Sequence, residues 1–289
     1  MPDVRSNGMT ISYETLGDPS DPALLLVMGL GAQLVDWPDE FCEMLAARGF
    51  HVIRFDNRDV GLSTWLDELG APDLAAIFGG DGATVPYLLS DLAADTAGLL
   101  KELGVAKAHV VGASMGGMVV QQLVIDRPDL VASVCSIMST TGDRTVGHPT
   151  PEAAAALMRP PASDREAAIA AAVATSRVIG SPGFEVFEAD LTRRASAKYD
   201  RAFHPEGTQR QYAAIIASPD RTQPLGAVTA PTLVVHGEAD PLIDVSGGRA
   251  TAAAVPGAEL LVIPGMGHDL PRGVWSAIVD AIVANAARA

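Results

Sequence analysis

Along the chain, the spacing of hydrophobic and polar positions alternates between a two-residue period and a helical period. Residues 9–15 (MTISYET) alternate, and the Asn7-Gly8 turn signal before them predicts an antiparallel hairpin. Residues 23–28 (ALLLVM) form a continuous apolar run, which is typical of a strand buried on both faces. Further strands are predicted at 51–55, 109–111 and 131–138, between helices at 37–48, 88–103 and 115–126. This alternation predicts an α/β fold with a mostly parallel, doubly wound sheet.

The alternation stops at about residue 143. Residues 143–226 contain Ala-rich stretches with helical character and no convincing strand; the stretches are 151–158, 163–178 and 207–217. Strands return at 232–236 and 259–263, and a C-terminal helix is predicted at 273–288. We therefore expect a core domain made of residues 1–142 and 227–289, with residues 143–226 inserted as a helical cap domain. The cap follows the carboxyl end of a strand, where open α/β sheets bind ligands.

Composition narrows the classes of function. The 289 residues include 20 Lys and Arg against 35 Asp and Glu, a formal charge of −15, which argues against partners such as nucleic acid or an anionic membrane. With 48% apolar and 19% charged residues, the chain has enough apolar material for a core. Cys42 and Cys135 lack metal-ligand spacing and are expected to be buried free thiols. No secretory signal is visible in the first residues, so we expect a cytoplasmic protein.

The strongest motif is HVVGASMGG at residues 109–117, which contains Gly112-x-Ser114-x-Gly116 between a predicted strand and helix. This arrangement is typical of a nucleophile elbow, a turn too tight for bulky neighbours. The turn lifts the serine hydroxyl above the sheet at a helix N-terminus. There the N–H of Met115 can stabilise an oxyanion. We predict Ser114 as the nucleophile.

A catalytic serine needs a base and an orienting carboxylate. His268 lies in the loop IPGMGHDLP after the last predicted strand, which places it at the sheet edge above the elbow. Core or strand-end positions account better for His51, His109 and His236, and solvated loops for His148 and His204, with substrate contact from the cap as the alternative for these two. After strand 232–236, Asp240 is a better orienting acid than Glu238 or Asp244, since its spacing lets the chain turn back over the sheet. The order Ser114, Asp240, His268 is that of α/β-hydrolases.

The second oxyanion donor is expected from the loop after strand 23–28, which reads Met28-Gly29-Leu30-Gly31. The backbone N–H of Leu30 is the predicted donor, and the glycines on each side allow the main chain a close approach. An ordinary glycine turn is the alternative interpretation of this segment.

With these residues identified, the chain resembles the α/β-hydrolase family along essentially its whole length. The fragments that carry the resemblance are, in order, VMGLG, DNRDVGLS, VGASMGG, HGEADPL and GMGHDLP. Within the family, the chain is most similar to carboxylesterases of the aclacinomycin methylesterase type. These enzymes share its VMG loop, GxSMG elbow and GMGH-x-LP loop. The resemblance implies the same triad and oxyanion donors. It also implies a structural loop near the active-site rim, matched by Asp56, Arg58, Gly61 and Ser63.

The chain departs from many family members at one point, since Met28-Gly29 stands where they have His-Gly. The cap is where relatives differ most, so its residues have no counterpart to be carried over. Apolar and aromatic cap residues are expected to shape the pocket, among them Phe203, Tyr212 and Ile216, although packing within the cap is equally consistent with their spacing.

These features predict hydrolysis of a small-molecule carboxylic ester through an acyl-enzyme, with no metal or cofactor. Lactonase, thioesterase, carbon–carbon hydrolase and perhydrolase activities use the same triad and stay open, as do a cofactor-free lyase and a ligand-binding receptor on this fold. Residues 143–226 carry ten Lys and Arg against ten Asp and Glu, so the whole negative excess lies in the core. A neutral cap is suited to a neutral, largely apolar ester. The sequence does not indicate the oligomeric state.

Overall fold

The computed structural model describes residues 1–80, 85–160 and 162–289. Its sheet has the spatial order β1-β2-β4-β3-β5-β6-β7-β8. The strands are β1 (Asp3–Ser6), β2 (Met9–Leu16), β3 (Ala23–Val27), β4 (His51–Phe55), β5 (Ala108–Ala113), β6 (Val131–Ile137), β7 (Thr232–Gly237) and β8 (Glu259–Ile263). The β1–β2 and β2–β4 pairs are antiparallel, and every other pair is parallel. The predicted mostly parallel sheet is therefore confirmed.

The helices lie between the strands and in the inserted segment. They are α1 (Asp39–Ala46), α2 (Leu74–Phe78), α3 (Leu89–Glu102), α4 (Met115–Asp126), α5 (Pro151–Leu157), α6 (Arg165–Ile179), α7 (Glu188–Arg201), α8 (Pro205–Ala217), α9 (Thr222–Leu225), α10 (Val245–Ala254) and α11 (Trp275–Ala286). In the part of 143–226 that the structure describes, the regular elements are helices alone.

The hairpin and the central strand form for the reasons that the sequence indicates. Asn7 and Gly8 have φ of 48° and 81°, and two positive values match the type I′ turn that suits a two-residue hairpin. In β3, alternate side chains enter opposite cores: Leu25 and Val27 pack with the α3–α4 side, and Leu24 and Leu26 with the α1–α11 side. Because both faces are covered, an apolar residue is required at each of these positions.

The sequence prediction missed α7 entirely. Seven of its fourteen residues are charged and none is fully buried, so only a narrow row of Leu191, Ala195 and Tyr199 marks the helical period. Polar contacts also join the helix to its neighbours. Arg165 of α6 holds Asp200 through two hydrogen bonds of 2.7 and 2.6 Å. The helices α2 and α10 were missed as well.

Buried ion pairs attach the inserted helices to the core. Arg210 of α8 donates to both carboxylate oxygens of Asp59 at 2.9 and 2.7 Å, and both side chains are completely buried. Arg201, at the end of α7, donates to the buried carboxylate of Asp56 at 2.7 Å. Both acids belong to the loop after β4, so this core loop serves as the docking point of the helical insertion.

The two cysteines are buried free thiols, as predicted. Burial raises the pKa of Cys42 to about 11. Within the described residues, we find no helix with the length and apolar character needed to cross a membrane.

Candidate active site

Ser114 occupies a strained turn between β5 and α4. Its φ of 56° and ψ of −120° lie outside the regions that most residues adopt. The turn is closed by contacts that leave no space for side chains on either flank: a β-carbon at Gly112 would overlap the carbonyl of Gly116, and one at Gly116 would overlap the carbonyl of Val27. The glycine spacing of the motif is therefore a packing requirement, and it leaves the Ser114 hydroxyl partly exposed at the carboxyl edge of the sheet.

The three residues expected from the sequence meet at this edge. His268 Nε2 lies 2.9 Å from Ser114 Oγ, and His268 Nδ1 lies 2.8 Å from Asp240 Oδ2. His268 is 8% exposed and Asp240 is 5% exposed. The serine, histidine and carboxylate thus form one chain of hydrogen bonds with limited access to water, which is the arrangement that activates a serine nucleophile.

Asp240 is held in its ionised form. Burial alone would raise the pKa of this carboxyl, but the charge of His268 and hydrogen bonds to the carboxylate outweigh burial and hold the pKa well below its ordinary value. Among these bonds, Oδ1 accepts from the backbone N–H groups of Leu242 and Ile243 at 2.8 and 2.9 Å. The carboxylate can therefore accept a hydrogen bond from His268 while it stays ionised.

A second histidine supports the turn that carries Asp240. His236, at the end of β7, is fully buried, and its Nε2 lies 2.7 Å from the carbonyl oxygen of Ile243 and 3.5 Å from Asp240 Oδ2. From the sequence, only a core or strand-end position is expected for this residue. Its spacing of four residues from Asp240 was the available signal.

Of the two expected oxyanion donors, Met115 directly follows the serine, and Leu30 follows Gly29. Hydrogen bonds from the N–H groups of Leu30 and Met115 are absent among the residues that the structure describes. Gly29 lies against the nucleophile, since a β-carbon there would be 3.0 Å from the Cβ of Ser114. The N–H groups of Leu30 and Met115 therefore stay the predicted oxyanion donors.

Beside this centre, a cavity of about 330 Å³ lies between the core loop and the inserted helices. Leu30 and Gly31 line it, whereas Ser114 and His268 are not among its lining residues. Phe203 and Tyr212 line it, as the sequence predicts for residues that shape the pocket; Ile216 does not. The cavity thus reaches the loop of Leu30 and Gly31, but Ser114 does not line it.

The loop with the family pattern DNRDVGLS has a structural role. Asp56 accepts from the N–H groups of Leu34 and Leu62 at 2.7 and 2.9 Å. Arg58 donates to both oxygens of Asp95 on α3 at 2.6 and 2.7 Å, so its side chain ties the loop to a core helix.

Met28, which stands where many family members have His, occupies an apolar site. The side chain is 7% exposed and packs in the cluster on the α1–α11 side of the sheet. Its carbonyl accepts from the Asn57 side-chain amide at 3.1 Å. The described residues contain no group of three or more His, Cys, Asp or Glu side chains arranged to hold a metal ion.

Comparison with known proteins agrees with this geometry. The family model described as alpha/beta hydrolase fold matches residues 22–271. This chain belongs to the α/β hydrolase fold family. The α/β hydrolase is 30% identical to rhodomycin D methylesterase of Streptomyces peucetius, over 98% of this chain and 96% of the relative. It is 29% identical to the enzyme of the same name from Streptomyces sp. (strain C5), again over 98% and 96%. The resemblance to esterases of the aclacinomycin methylesterase type seen in the sequence is therefore confirmed.

A solved structure shows the same fold at lower identity. The enol-lactonase from Burkholderia xenovorans superposes on the α/β hydrolase with a TM-score of 0.75 and 20% identity, over 98% of this chain and 99% of the other. At that identity, the match supports the architecture of sheet and helices.

Proposed function

We propose that this esterase cleaves carboxylic esters of neutral, largely apolar substrates through a Ser114–His268–Asp240 triad. The observation that carries the proposal is the unbroken chain of hydrogen bonds from the serine hydroxyl through the imidazole to the buried carboxylate. The free N–H groups of Leu30 and Met115 beside the serine complete the set of groups that acyl transfer requires.

In the proposed mechanism, His268 Nε2 takes the proton from Ser114 Oγ as the oxygen attacks the ester carbonyl. The carbonyl oxygen becomes an oxyanion held by the N–H groups of Leu30 and Met115, while Asp240 stabilises the imidazolium. His268 then gives its proton to the leaving alkoxide, and the alcohol departs from the acyl-enzyme. A water molecule activated by His268 attacks the acyl group, which releases the acid and restores Ser114.

The cavity beside the oxyanion loop supports the substrate class. Its lining is mostly apolar, with Phe203, Tyr199 and Tyr212 as aromatic members. Of its charged members, Lys198 is paired with Asp36 at 2.9 Å. An apolar part of an ester whose carbonyl lies at Leu30 can enter this space, where removal of apolar surface from water favours binding.

The nucleophile is tested by Ser114→Ala with p-nitrophenyl butyrate as substrate. We expect turnover to fall by about 10⁴-fold or more, with the fold retained by circular dichroism. A fluorophosphonate should add covalently to the wild-type protein at Ser114, and this adduct should be absent from the variant in a peptide mass spectrum. Undiminished hydrolysis by Ser114→Ala would contradict the proposal.

A matched control is available in the same fold. Ser133 also pairs with a histidine, with its Oγ 2.9 Å from His109 Nδ1, but at the amino ends of the strands. Ser133→Ala should therefore keep full activity, and a loss there equal to that of Ser114→Ala would point to damage of the sheet rather than of the nucleophile.

A further inference from the structure

The oxyanion loop is a four-residue turn whose shape decides where the Leu30 N–H points. Ala32 N–H donates to the carbonyl of Gly29 at 3.1 Å, which closes a turn over residues 29–32. Gly31, the third residue, has φ of +62°, the sign required at that position of a type II turn. The Gly29–Leu30 peptide contains the Leu30 N–H, which is the proposed oxyanion donor. It also contains the Gly29 carbonyl, which the turn holds through the bond from Ala32.

Type I and type II turns differ by a rotation of the central peptide, which here joins Leu30 to Gly31. Rotation of this peptide changes ψ of Leu30 and φ of Gly31, so it moves Ala32 and, through the bond from the Ala32 N–H to the Gly29 carbonyl, the Gly29–Leu30 peptide that carries the donor. A contact that holds the Gly31 N–H selects one of the two forms.

That contact comes from the inserted helices. Gln211 of α8 is fully buried, and its Oε1 accepts from the Gly31 N–H at 2.8 Å. Its Nε2 donates to the carbonyl of Arg58, also at 2.8 Å. Because one end of the amide faces a donor and the other an acceptor, the orientation of the amide is determined. Thr208, one turn earlier on α8, packs against Gly31, since a β-carbon there would lie 2.8 Å from its Oγ1.

We infer that Gln211 is a positioning residue of the oxyanion hole, which acts by holding the Leu30–Gly31 peptide in its type II form. This inference rests on the proposed function, in which the Leu30 N–H binds the oxyanion. The helical insertion then has a part in the chemical step in addition to enclosing substrate. Because the oxyanion is common to every ester, the effect of Gln211 is independent of which acyl or alcohol group is bound.

The test replaces Gln211 by Met, which has a similar length and no group to accept the Gly31 N–H. We expect kcat to fall about 10- to 100-fold with KM within about twofold, since a displaced donor weakens transition-state stabilisation. The fall should be the same for p-nitrophenyl acetate and p-nitrophenyl octanoate. Inhibition by a trifluoromethyl ketone, which forms an oxyanion adduct with the serine, should weaken by the same factor as kcat/KM.

The control is Gln122→Met in α4, whose side-chain amide donates to Asp126 and which lies outside both the cavity lining and the turn. It should leave kcat and the ketone inhibition unchanged. If Gln211→Met does not fold, Gln211→Asn takes its place with the same expected fall, because its amide is one methylene too short to reach both partners.

Two results overturn the inference: an undiminished kcat in the Gln211 variant, or a loss confined to KM or to one substrate. Failure of the proposed function is recognised separately. Hydrolysis retained by Ser114→Ala rejects the triad whatever Gln211 does, whereas inactive Ser114→Ala with fully active Gln211→Met rejects only the positioning role.

Discussion

At the scale of single residues, the site combines strain at one group with stabilisation at another. Ser114 has a backbone conformation that costs of order 1–3 kcal/mol, and it persists because β5 and α4 over-determine the turn around it. Asp240 is the opposite case, a buried charge whose hydrogen bonds and histidine partner more than offset the cost of burial. The two residues are linked only through His268, so each can be tested without altering the other's contacts.

Asp240→Asn should leave the geometry nearly intact but remove the charge that stabilises the imidazolium. We expect kcat for p-nitrophenyl butyrate to fall by about 10³–10⁴-fold. Steady-state kinetics at pH 7 and 8 measure this fall. A variant with more than about a tenth of the wild-type rate would show that Asp240 does not orient the base.

The lowered pKa of Asp240 also predicts a pH dependence of stability. A carboxyl whose pKa is lower in the folded than in the unfolded chain, where it is about 3.9, stabilises the fold fully above that unfolded value. The contribution is lost as pH falls below it toward the folded pKa. We expect the difference in free energy of unfolding between wild type and Asp240→Asn to be constant from pH 7 to about pH 5 and to shrink below about pH 4. Urea unfolding at each pH measures this difference, and a gap that widens on acidification would contradict the prediction.

At the scale of elements, α8 connects the insertion to the core through one face. Gly207, Thr208, Arg210 and Gln211 all face the core loops, and Arg210 is completely buried against Asp59. Loss of one partner from a buried pair leaves an uncompensated charge, which is far more costly than loss of an exposed pair.

Arg210→Met is therefore expected to lower the free energy of unfolding by about 3–5 kcal/mol. The control is Arg193→Met in α7, which breaks an exposed pair with Asp190 and should leave the unfolding midpoint unchanged. Chemical denaturation compares the two variants. Equal midpoints for Arg210→Met and wild type would show that the buried pair does not secure the insertion.

The strands, most helices and the three site loops follow from local sequence because each is specified by neighbouring residues. Glycine spacing identifies the elbow around Ser114, and strand-then-loop order identifies the loops of Asp240 and His268. The contacts of α8 are not predictable in this way. Gln211 and its partner Gly31 are 180 residues apart, and Arg210 and Asp59 are 151 apart, so no local pattern marks them. The helix α7 was missed because half of its residues are charged and none is fully buried, which leaves only a weak apolar pattern.

At the scale of the whole molecule, charge is divided between the two parts. The inserted segment is formally neutral and the rest of the chain carries the excess of −15. Potentials from exposed charges decay over a Debye length, about 10 Å at 0.1 M salt, so an anionic substrate meets repulsion from the core surface mainly at low salt.

We expect a neutral methyl ester to have a higher kcat/KM than the same ester with a distal carboxylate. The difference should narrow between 0.01 and 0.5 M NaCl, while the value for the neutral ester stays constant. A higher kcat/KM for the anionic ester, decreasing with salt, would reject the proposed preference and point instead to Arg159 and Lys198 on the cavity wall.

The buried pairs of Arg210 with Asp59 and of Arg201 with Asp56 also bear on how such enzymes diversify. A recombination event that exchanged residues 143–226 alone would separate each arginine from its acid and leave buried charges on both sides of the joint. We therefore expect the helices and the loop after β4 to be exchangeable only together. A chimera that exchanges them together should fold, whereas one that exchanges only the helices needs compensating changes at Asp56 and Asp59.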